Sequence, residues 1–78
     1  MKKKYIVEIG DRLVRYNEDG SIAEKYEIKN IYMERYLTGW KVVAKIVHND
    51  IFEMTELMAD IIDLFESRDF ELLGPKEV

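Results

Sequence analysis

The chain has 78 residues, 47% of them hydrophobic and 36% charged, and its formal net charge is −4. This length suits one small core, so we expect a single domain over residues 1–78. The composition excludes a disordered chain, because there is enough apolar surface to offset the entropy lost on folding. The chain contains no cysteine, which excludes disulfides and thiolate metal sites and favours a reducing compartment.

We expect a cytoplasmic protein without a membrane partner. The lysines at positions 2–4 are typical of the start of a signal peptide, but the apolar run behind them is interrupted by Glu8 and stops at Gly10. No segment approaches the roughly 20 apolar residues that a membrane span needs.

Acidic residues are concentrated in the last third of the chain. Residues 1–48 contain ten Lys or Arg against seven Asp or Glu, whereas residues 49–78 contain two against nine. An asymmetry of this kind indicates a surface for a charged partner.

The first part of the chain has the pattern of short antiparallel strands. Residues 5–9 and 12–16 are rich in β-branched and aromatic side chains, and Gly10 between them predicts a tight hairpin. Residues 17–20 are polar and end in Gly20, which can take the positive φ of a turn. We therefore expect two strands followed by a turn.

Three further segments alternate between apolar and polar residues with the period of a strand. Residues 21–28 alternate with one exception, Glu24, and residues 31–36 alternate again after a polar pair. Residues 40–47 form the strongest predicted strand. One side of this strand carries Trp40, Val42, Ala44 and Ile46. Consecutive strands joined by short turns favour a β-meander.

An amphipathic helix is predicted for the acidic part of the chain. Its apolar residues fall within an arc of roughly 160° when successive residues are 100° apart. They are Met54, Leu57, Met58, Ile61, Ile62, Leu64 and Phe65. The helix begins near Ile51 if Asp50 caps it. Alternatively, residues 51–54 complete a hairpin through the turn at residues 48–50, and the helix begins near Glu56 with Thr55 as its cap. The β-rich character of the residues just after Asp50 favours Thr55.

These elements predict an α+β fold: a small antiparallel β-meander of four to six short strands, with one C-terminal amphipathic helix packed on one face. Residues 70–73 are expected to return as a short edge strand. The apolar arc of the helix must dock on the sheet or on another chain, because an isolated helix of this length is marginal in water. The residues expected in a core shared with residues 40–47 are Met54, Leu57, Ile61, Leu64 and Phe65.

Residues able to support catalysis are scarce in this sequence. His48 is the lone histidine, and neither Ser21 nor Ser67 lies in a nucleophile motif. His48, Asp50 and Glu53 do not have the spacing of a recognised metal site, and the four glycines form no phosphate-binding loop. We therefore expect a protein that is not an enzyme and that has no catalytic residues, cofactor or metal site.

A row of carboxylates along the predicted helix is the strongest functional signal. It consists of Glu53, Glu56, Asp60, Asp63 and Glu66. Like charges three and four positions apart destabilise a helix slightly, so a row of one sign indicates a surface for a basic partner. The leading hypothesis is a non-catalytic protein-binding module, or a small inhibitor that presents an acidic helix to a basic surface. By size and charge it compares with phage-type inhibitors of nucleic-acid enzymes.

Two alternatives remain open at this point. A sheet side with Tyr32, Tyr36, Lys41 and Lys45 would offer rings for base stacking and cations for phosphate, as in a small nucleic-acid-binding sheet domain. Glu34 between the tyrosines and the acidity of the chain count against nucleic acid as the partner. The other alternative is a structural homodimer, because the core is small and a meander leaves free strand edges.

Overall fold

The computed structural model of the protein describes residues 5–75, which form one antiparallel sheet of five strands and one helix. The elements are β1 (Asp11–Tyr16), β2 (Ile22–Tyr36), β3 (Gly39–His48), β4 (Phe52–Leu57), α1 (Met58–Arg68) and β5 (Glu71–Pro75). The strand order in the sheet is β4-β3-β2-β1-β5. The predicted α+β fold, a β-meander with one helix near the C-terminus, is confirmed.

The last strand of the chain, β5, lies next to β1 in the sheet. β1 to β4 are consecutive neighbours, and β5 follows α1 and pairs antiparallel with β1. The edge strand expected after the helix is therefore confirmed, over Glu71–Pro75. The strand predicted over residues 5–9 is wrong, because β2 and β5 already occupy the two edges of β1. Tyr5 and Val7 pack against the core instead.

β2 is a single strand of 15 residues where the sequence predicted two strands. Its register against β3 shifts between Ile28 and Asn30, which pair with Ile46 and Lys45. This β-bulge inserts one residue and so reverses the alternation of the side chains that follow it. Ile28 and Ile31 therefore lie on the same side of the sheet, although an odd number of positions separates them.

The helix begins later than the sequence predicted. α1 covers Met58–Arg68, and its N-cap residue is Leu57, which has an extended backbone. Thr55 lies inside β4 and Asp50 lies before it, so neither residue caps the helix. The reason is the turn at Asn49 and Asp50, whose positive φ values of 52° and 62° reverse the chain and allow β4 to pair with the edge of β3.

The core lies between α1 and one side of the sheet. We call this side, which carries Tyr26, Ile28, Ala44 and Ile46, the helix side, and the opposite side the open side. The buried cluster consists of Leu13, Tyr26, Ile28, Ala44, Ile46, Ile61, Phe65 and Phe70. Among the predicted core positions, Ile61 and Phe65 are buried, and Met54 and Leu64 are half-buried against the cluster. These four predictions are confirmed.

The prediction that Leu57 belongs to this core is wrong. Leu57 is the last residue of β4 and pairs with Val43. Because neighbouring residues of a strand face opposite sides, this pair lies on the open side while Ala44 lies on the helix side. The error follows directly from the later start of the helix.

Four aromatic rings form the centre of the core. The centroids of Phe65 and Phe70 are 5.2 Å apart, and that of Tyr26 is 5.7 Å from Phe65. Tyr5 packs against Phe65 from the N-terminal segment, and its hydroxyl donates a hydrogen bond to the carbonyl of Phe70. Tilted ring pairs at such distances add about 0.5–1.5 kcal/mol each beyond burial. The rings thus join the helix, β2 and the segments before β1 and β5.

β2 and β3 extend beyond the rest of the sheet. β4 pairs with β3 no further along the hairpin than Val43, and β1 pairs with β2 no further than Glu27. Within the described part of the chain, residues 33–42 therefore form ladder pairs only with one another. We call residues 33–42 the arm.

Candidate protein-binding site

A cleft of about 270 Å³ lies between β4 and α1 on the helix side of the sheet. It is lined by Tyr26, Ile46, Met54, Glu56, Asp60, Ile61 and Leu64. Ile46 and Ile61 are buried, whereas the carboxylate residues Glu56 and Asp60 are exposed. Glu56 faces the helix side because it pairs with Ala44 on β3. An apolar floor with two carboxylates at its rim fits an apolar side chain that has a basic neighbour.

The predicted carboxylate row does not lie on one helix face. Asp60, Asp63 and Glu66 are on α1, but Glu53 and Glu56 are on β4 because the helix starts later. This correction separates the two strand residues, since alternation places Glu53 on the open side and Glu56 on the helix side. Glu56 and Asp60 are the two members of the predicted row that line the cleft.

The four residues of the nucleic-acid alternative do share one side of the sheet. The ladder pairs place Tyr32, Tyr36, Lys41 and Lys45 on the open side. Carboxylates lie among them, however. Glu34 accepts a hydrogen bond from the Tyr36 hydroxyl at 3.3 Å and pairs across the strands with Lys41. Nζ of Lys45 is 2.6 Å from the Glu53 carboxylate. The Lys45 charge is thus balanced by an ion pair and Lys41 lies opposite a carboxylate residue, which weakens the attraction of this side for phosphate.

A buried carboxylate, Glu24, organises a polar cluster near the start of β2. Its Oε1 accepts hydrogen bonds from the Tyr26 hydroxyl at 3.1 Å and from Nε2 of His48 at 3.0 Å, so Nε2 carries a hydrogen. Its Oε2 is 3.3 Å from Nη2 of Arg15 and 3.7 Å from Nη1 of Arg68. The His48 ring also stacks on Tyr26, with centroids 4.5 Å apart. Both carboxylate oxygens are thus occupied by contacts within the fold.

The cluster shifts two pKa values. Burial acts to raise the pKa of Glu24, but the hydrogen bonds from Tyr26 and Arg15 and the nearby His48 outweigh it and hold that pKa below the ordinary value of a glutamate. Burial, together with the bond to Glu24, raises the pKa of Tyr26 to about 12. A carboxylate held in its ionised form in this way is a poor proton acceptor, so the cluster is suited to stabilising the fold.

A polar pocket of about 460 Å³ lies beside this cluster and contains charges of both signs. Arg15 and Arg68 line it together with Asp69 and Glu71. The two guanidinium groups already face Glu24. The pocket therefore lacks the excess of positive charge that would attract a phosphate group.

The residues weighed as metal ligands have other partners. His48 contacts Glu24, Asp50 forms an ion pair with Lys25 at 2.6 Å, and Glu53 pairs with a lysine on β3. Across residues 5–75, no group of three or more His, Asp or Glu side chains is placed to hold a metal ion.

Sequence reasoning missed the cleft and the Glu24 cluster. The one signal for the cluster was Glu24 itself, an acidic residue at an apolar position of an alternating strand, where a buried carboxylate requires partners. It also missed that the arm is exposed. Trp40 and Val42 share a side with Ala44, as the alternation predicted, but the side chain of Trp40 is 64% exposed.

No protein family model, curated protein or solved structure matches this chain. In the described range, 5–75, the helix is too short and too polar to cross a membrane.

Proposed function

We propose that this protein is a non-catalytic protein-binding domain whose cleft between β4 and α1 takes a basic and apolar segment of a partner. The observation that supports it is the composition of the cleft, an apolar floor with Glu56 and Asp60 at the rim. The proposal keeps the basic partner inferred from the sequence. It moves the binding surface from a helix face to a cleft that a strand and a helix build together.

The two parts of the cleft contribute differently to binding. Burying one large apolar side chain on the floor is worth about 1.5–3 kcal/mol. An exposed carboxylate facing a cation adds only about 0.2–1 kcal/mol. The floor therefore supplies most of the affinity, while Glu56 and Asp60 favour partners of positive charge.

The size of the cleft favours a protein partner over a small molecule. Its volume of about 270 Å³ is below the roughly 300–1,000 Å³ of typical small-molecule sites. A cleft of this size suits one anchoring side chain, and recognition of the rest of the partner then falls to the surrounding surface.

The non-catalytic part of the proposal is supported by His48. Its Nε2 contacts Glu24 and its ring stacks on Tyr26, so the one imidazole of the chain is engaged in the fold. A small inhibitor that covers a basic surface of a cytoplasmic enzyme is one form that such a domain would take.

The proposal is tested by the binding of labelled peptides. We expect a Lys-rich peptide with one central leucine or tryptophan to bind, and a matched peptide with Glu in place of Lys not to bind. Glu56→Gln combined with Asp60→Asn should weaken binding by roughly five- to tenfold, because two attractive charges are lost. Fluorescence polarisation at fixed ionic strength measures both effects.

A matched control distinguishes an effect of the cleft on binding from an effect of the overall negative charge of the protein. Asp63→Asn combined with Glu66→Gln removes the same charge from α1 but leaves the residues that line the cleft unchanged. This control should bind the peptide nearly as well as the original protein. Equal losses for the two double variants would contradict the cleft as the site, and so would no loss for either.

A further inference from the structure

The arm places apolar and basic groups together on the helix side of the sheet. Met33 pairs with Val42 across the strands, and Arg35 pairs with Trp40. These positions continue the side that carries Ala44. Trp40 is 64% exposed and Met33 is 60% exposed. Tryptophan and arginine are the residues most enriched at the energetic centres of protein interfaces.

The cleft has the complementary composition. Its floor is apolar, and its rim carries Glu56 and Asp60. On the arm, the acidic residue Glu34 pairs with Lys41 on the open side, so the helix side of the arm carries the positive charge of Arg35 alone. Trp40 and Arg35 thus match the floor and the rim respectively.

We infer that the cleft takes the arm of a second copy of this chain, so that two copies exchange arms in a symmetric dimer. The inference rests on the proposed function, because it names the partner for the same cleft. In the dimer, Trp40 of each copy packs on the apolar floor of the other copy, and Arg35 faces the carboxylates of Glu56 and Asp60.

The positions of the arm and the cleft allow such an exchange. Both lie on the helix side, and they are adjacent along β3, since Val42 belongs to the arm and Ala44 pairs with Glu56. A two-fold axis beside the base of the arm brings each arm over the other copy's cleft. The ladder of the arm is roughly 13 Å long, and the stretch of α1 that lines the cleft, from Asp60 to Leu64, spans roughly 6–8 Å. The arm is therefore long enough to follow one wall of the cleft.

Self-association also removes two costs of the single chain. It covers the exposed side chains of Met33 and Trp40, and it enlarges the buried surface of a small domain. In a two-fold dimer each contact occurs twice, so even a modest arm-to-cleft contact is doubled. A different basic protein would satisfy the cleft but would leave the arm uncovered.

The chain carries its own probe for this association, because Trp40 is the one tryptophan. We expect sedimentation to show a monomer at low concentration and a dimer at high concentration. Over the same range the emission of Trp40 should move to shorter wavelength as the indole leaves water.

Charge-reversal variants then identify which surfaces form the contact between the two copies. Glu56→Lys with Asp60→Lys, or Arg35→Glu alone, should weaken dimerisation at least about tenfold. Combining all three changes restores opposite charges and should recover most of the lost affinity. Asp63→Lys with Glu66→Lys is the matched control for the cleft and should leave dimerisation within about threefold. Circular dichroism establishes that each variant is folded.

A mixing experiment covers the case in which the combined variant does not fold. The Arg35→Glu variant has an intact cleft and the Glu56→Lys, Asp60→Lys variant has an intact arm. Mixed together, they should associate more strongly than either does alone, because in the mixed dimer both arm-to-cleft contacts join opposite charges, one of them through the original residues.

Three results would overturn the inference. The first is a monomer at all concentrations up to the millimolar range. If peptides nevertheless bind to the cleft, the proposed function is still supported, but without the dimer. A dimer that Arg35→Glu weakens but the Glu56 and Asp60 reversals do not would show that arms pair with arms. The third result is the absence of recovery both in the combined variant and in the mixture. Failure of peptide binding and of dimerisation together would remove both proposals.

Discussion

The β2–β3 hairpin has two ends that differ in their surroundings although their sequences alternate in the same way. At one end, Glu24 and Tyr26 are buried, Tyr26 among the aromatic rings of the core and Glu24 beside Arg68 at the end of α1. At the other end, Met33 and Trp40 stand on the same side of the sheet and remain exposed. An alternating strand therefore defines which side is apolar, but a covering element decides whether that side is buried.

The difference follows from the lengths of the elements. The 15 residues of β2 extend over roughly 45 Å, which matches the longest dimension of the molecule, 45 Å. The 11 residues of α1 reach only about 16 Å. The helix and residues 5–9 can cover one part of the hairpin, and the arm lies beyond them.

The largest difference in stability is expected between substitutions of two aromatic residues, Phe65 in the core and Trp40 on the arm. Phe65→Ala should destabilise the fold by about 3–5 kcal/mol, because it leaves a cavity among packed rings. Trp40→Ala should cost no more than about 1 kcal/mol, as exposed substitutions do. Urea unfolding at low protein concentration, where the chain is a monomer, measures both. Phe65→Leu provides a milder core variant if the alanine variant does not fold.

A cost above about 2 kcal/mol for Trp40→Ala under these conditions would contradict the comparison. It would mean that the arm folds back on the rest of the chain. A small cost for Phe65→Ala would instead mean that the helix side is loosely packed.

An intermediate effect is expected when Glu24 is changed. Glu24→Gln keeps the shape of the side chain but removes the negative charge that faces Arg15 and Arg68. We expect a loss of about 1–3 kcal/mol, since the cations lose their partner in a partly buried site. Glu34→Gln on the arm is the matched control and should change the free energy of unfolding by less than about 0.5 kcal/mol.

The same substitution tests the pH dependence of the covered end. The folded pKa of Glu24 lies below its ordinary value, so the folded state binds fewer protons than the unfolded state in acid. The stabilisation is present above the ordinary glutamate pKa, about 4.3, and is lost as the pH falls from there through the folded pKa. Glu24→Gln should therefore flatten the decline of stability in acid. An unchanged acid limb would show that other carboxylates cause the decline.

The sequence predicted the elements that depend on local pattern and missed those that depend on pairing partners. Alternation predicted β3 and its apolar side correctly, because Trp40, Val42, Ala44 and Ile46 are all apolar and Val43 is the one apolar residue among the positions between them. The periodic apolar residues from Met54 onward predicted a helix too early. Met54 and Leu57 also satisfy strand pairing with β3, and that long-range pairing determined the outcome.

The candidate site was predicted only in part, for the same reason. Asp60 was placed correctly on α1, but its partner at the cleft, Glu56, belongs to a strand whose position depends on the turn at Asn49. The partners of Glu24 come from β1, β2, β3 and α1. No local pattern encodes a set of contacts drawn from four elements, so the sequence showed only that a carboxylate stood at an apolar position.

The smallest expected effect concerns the ion pair between Lys45 and Glu53 on the open side. Its atoms are 2.6 Å apart, but the two side chains are 48% and 54% exposed. Water and salt screen such a pair, so a double-mutant cycle with Lys45→Met and Glu53→Gln should give a coupling of about 0.5 kcal/mol or less. The coupling should fall further at high salt. The Arg15–Glu24 pair, with one side chain only 11% exposed, should give the larger coupling in the same experiment.

If the Lys45–Glu53 coupling exceeds about 1.5 kcal/mol, the open side is shielded from water in solution. A second copy or another partner must then cover it, because no element within residues 5–75 packs on that pair.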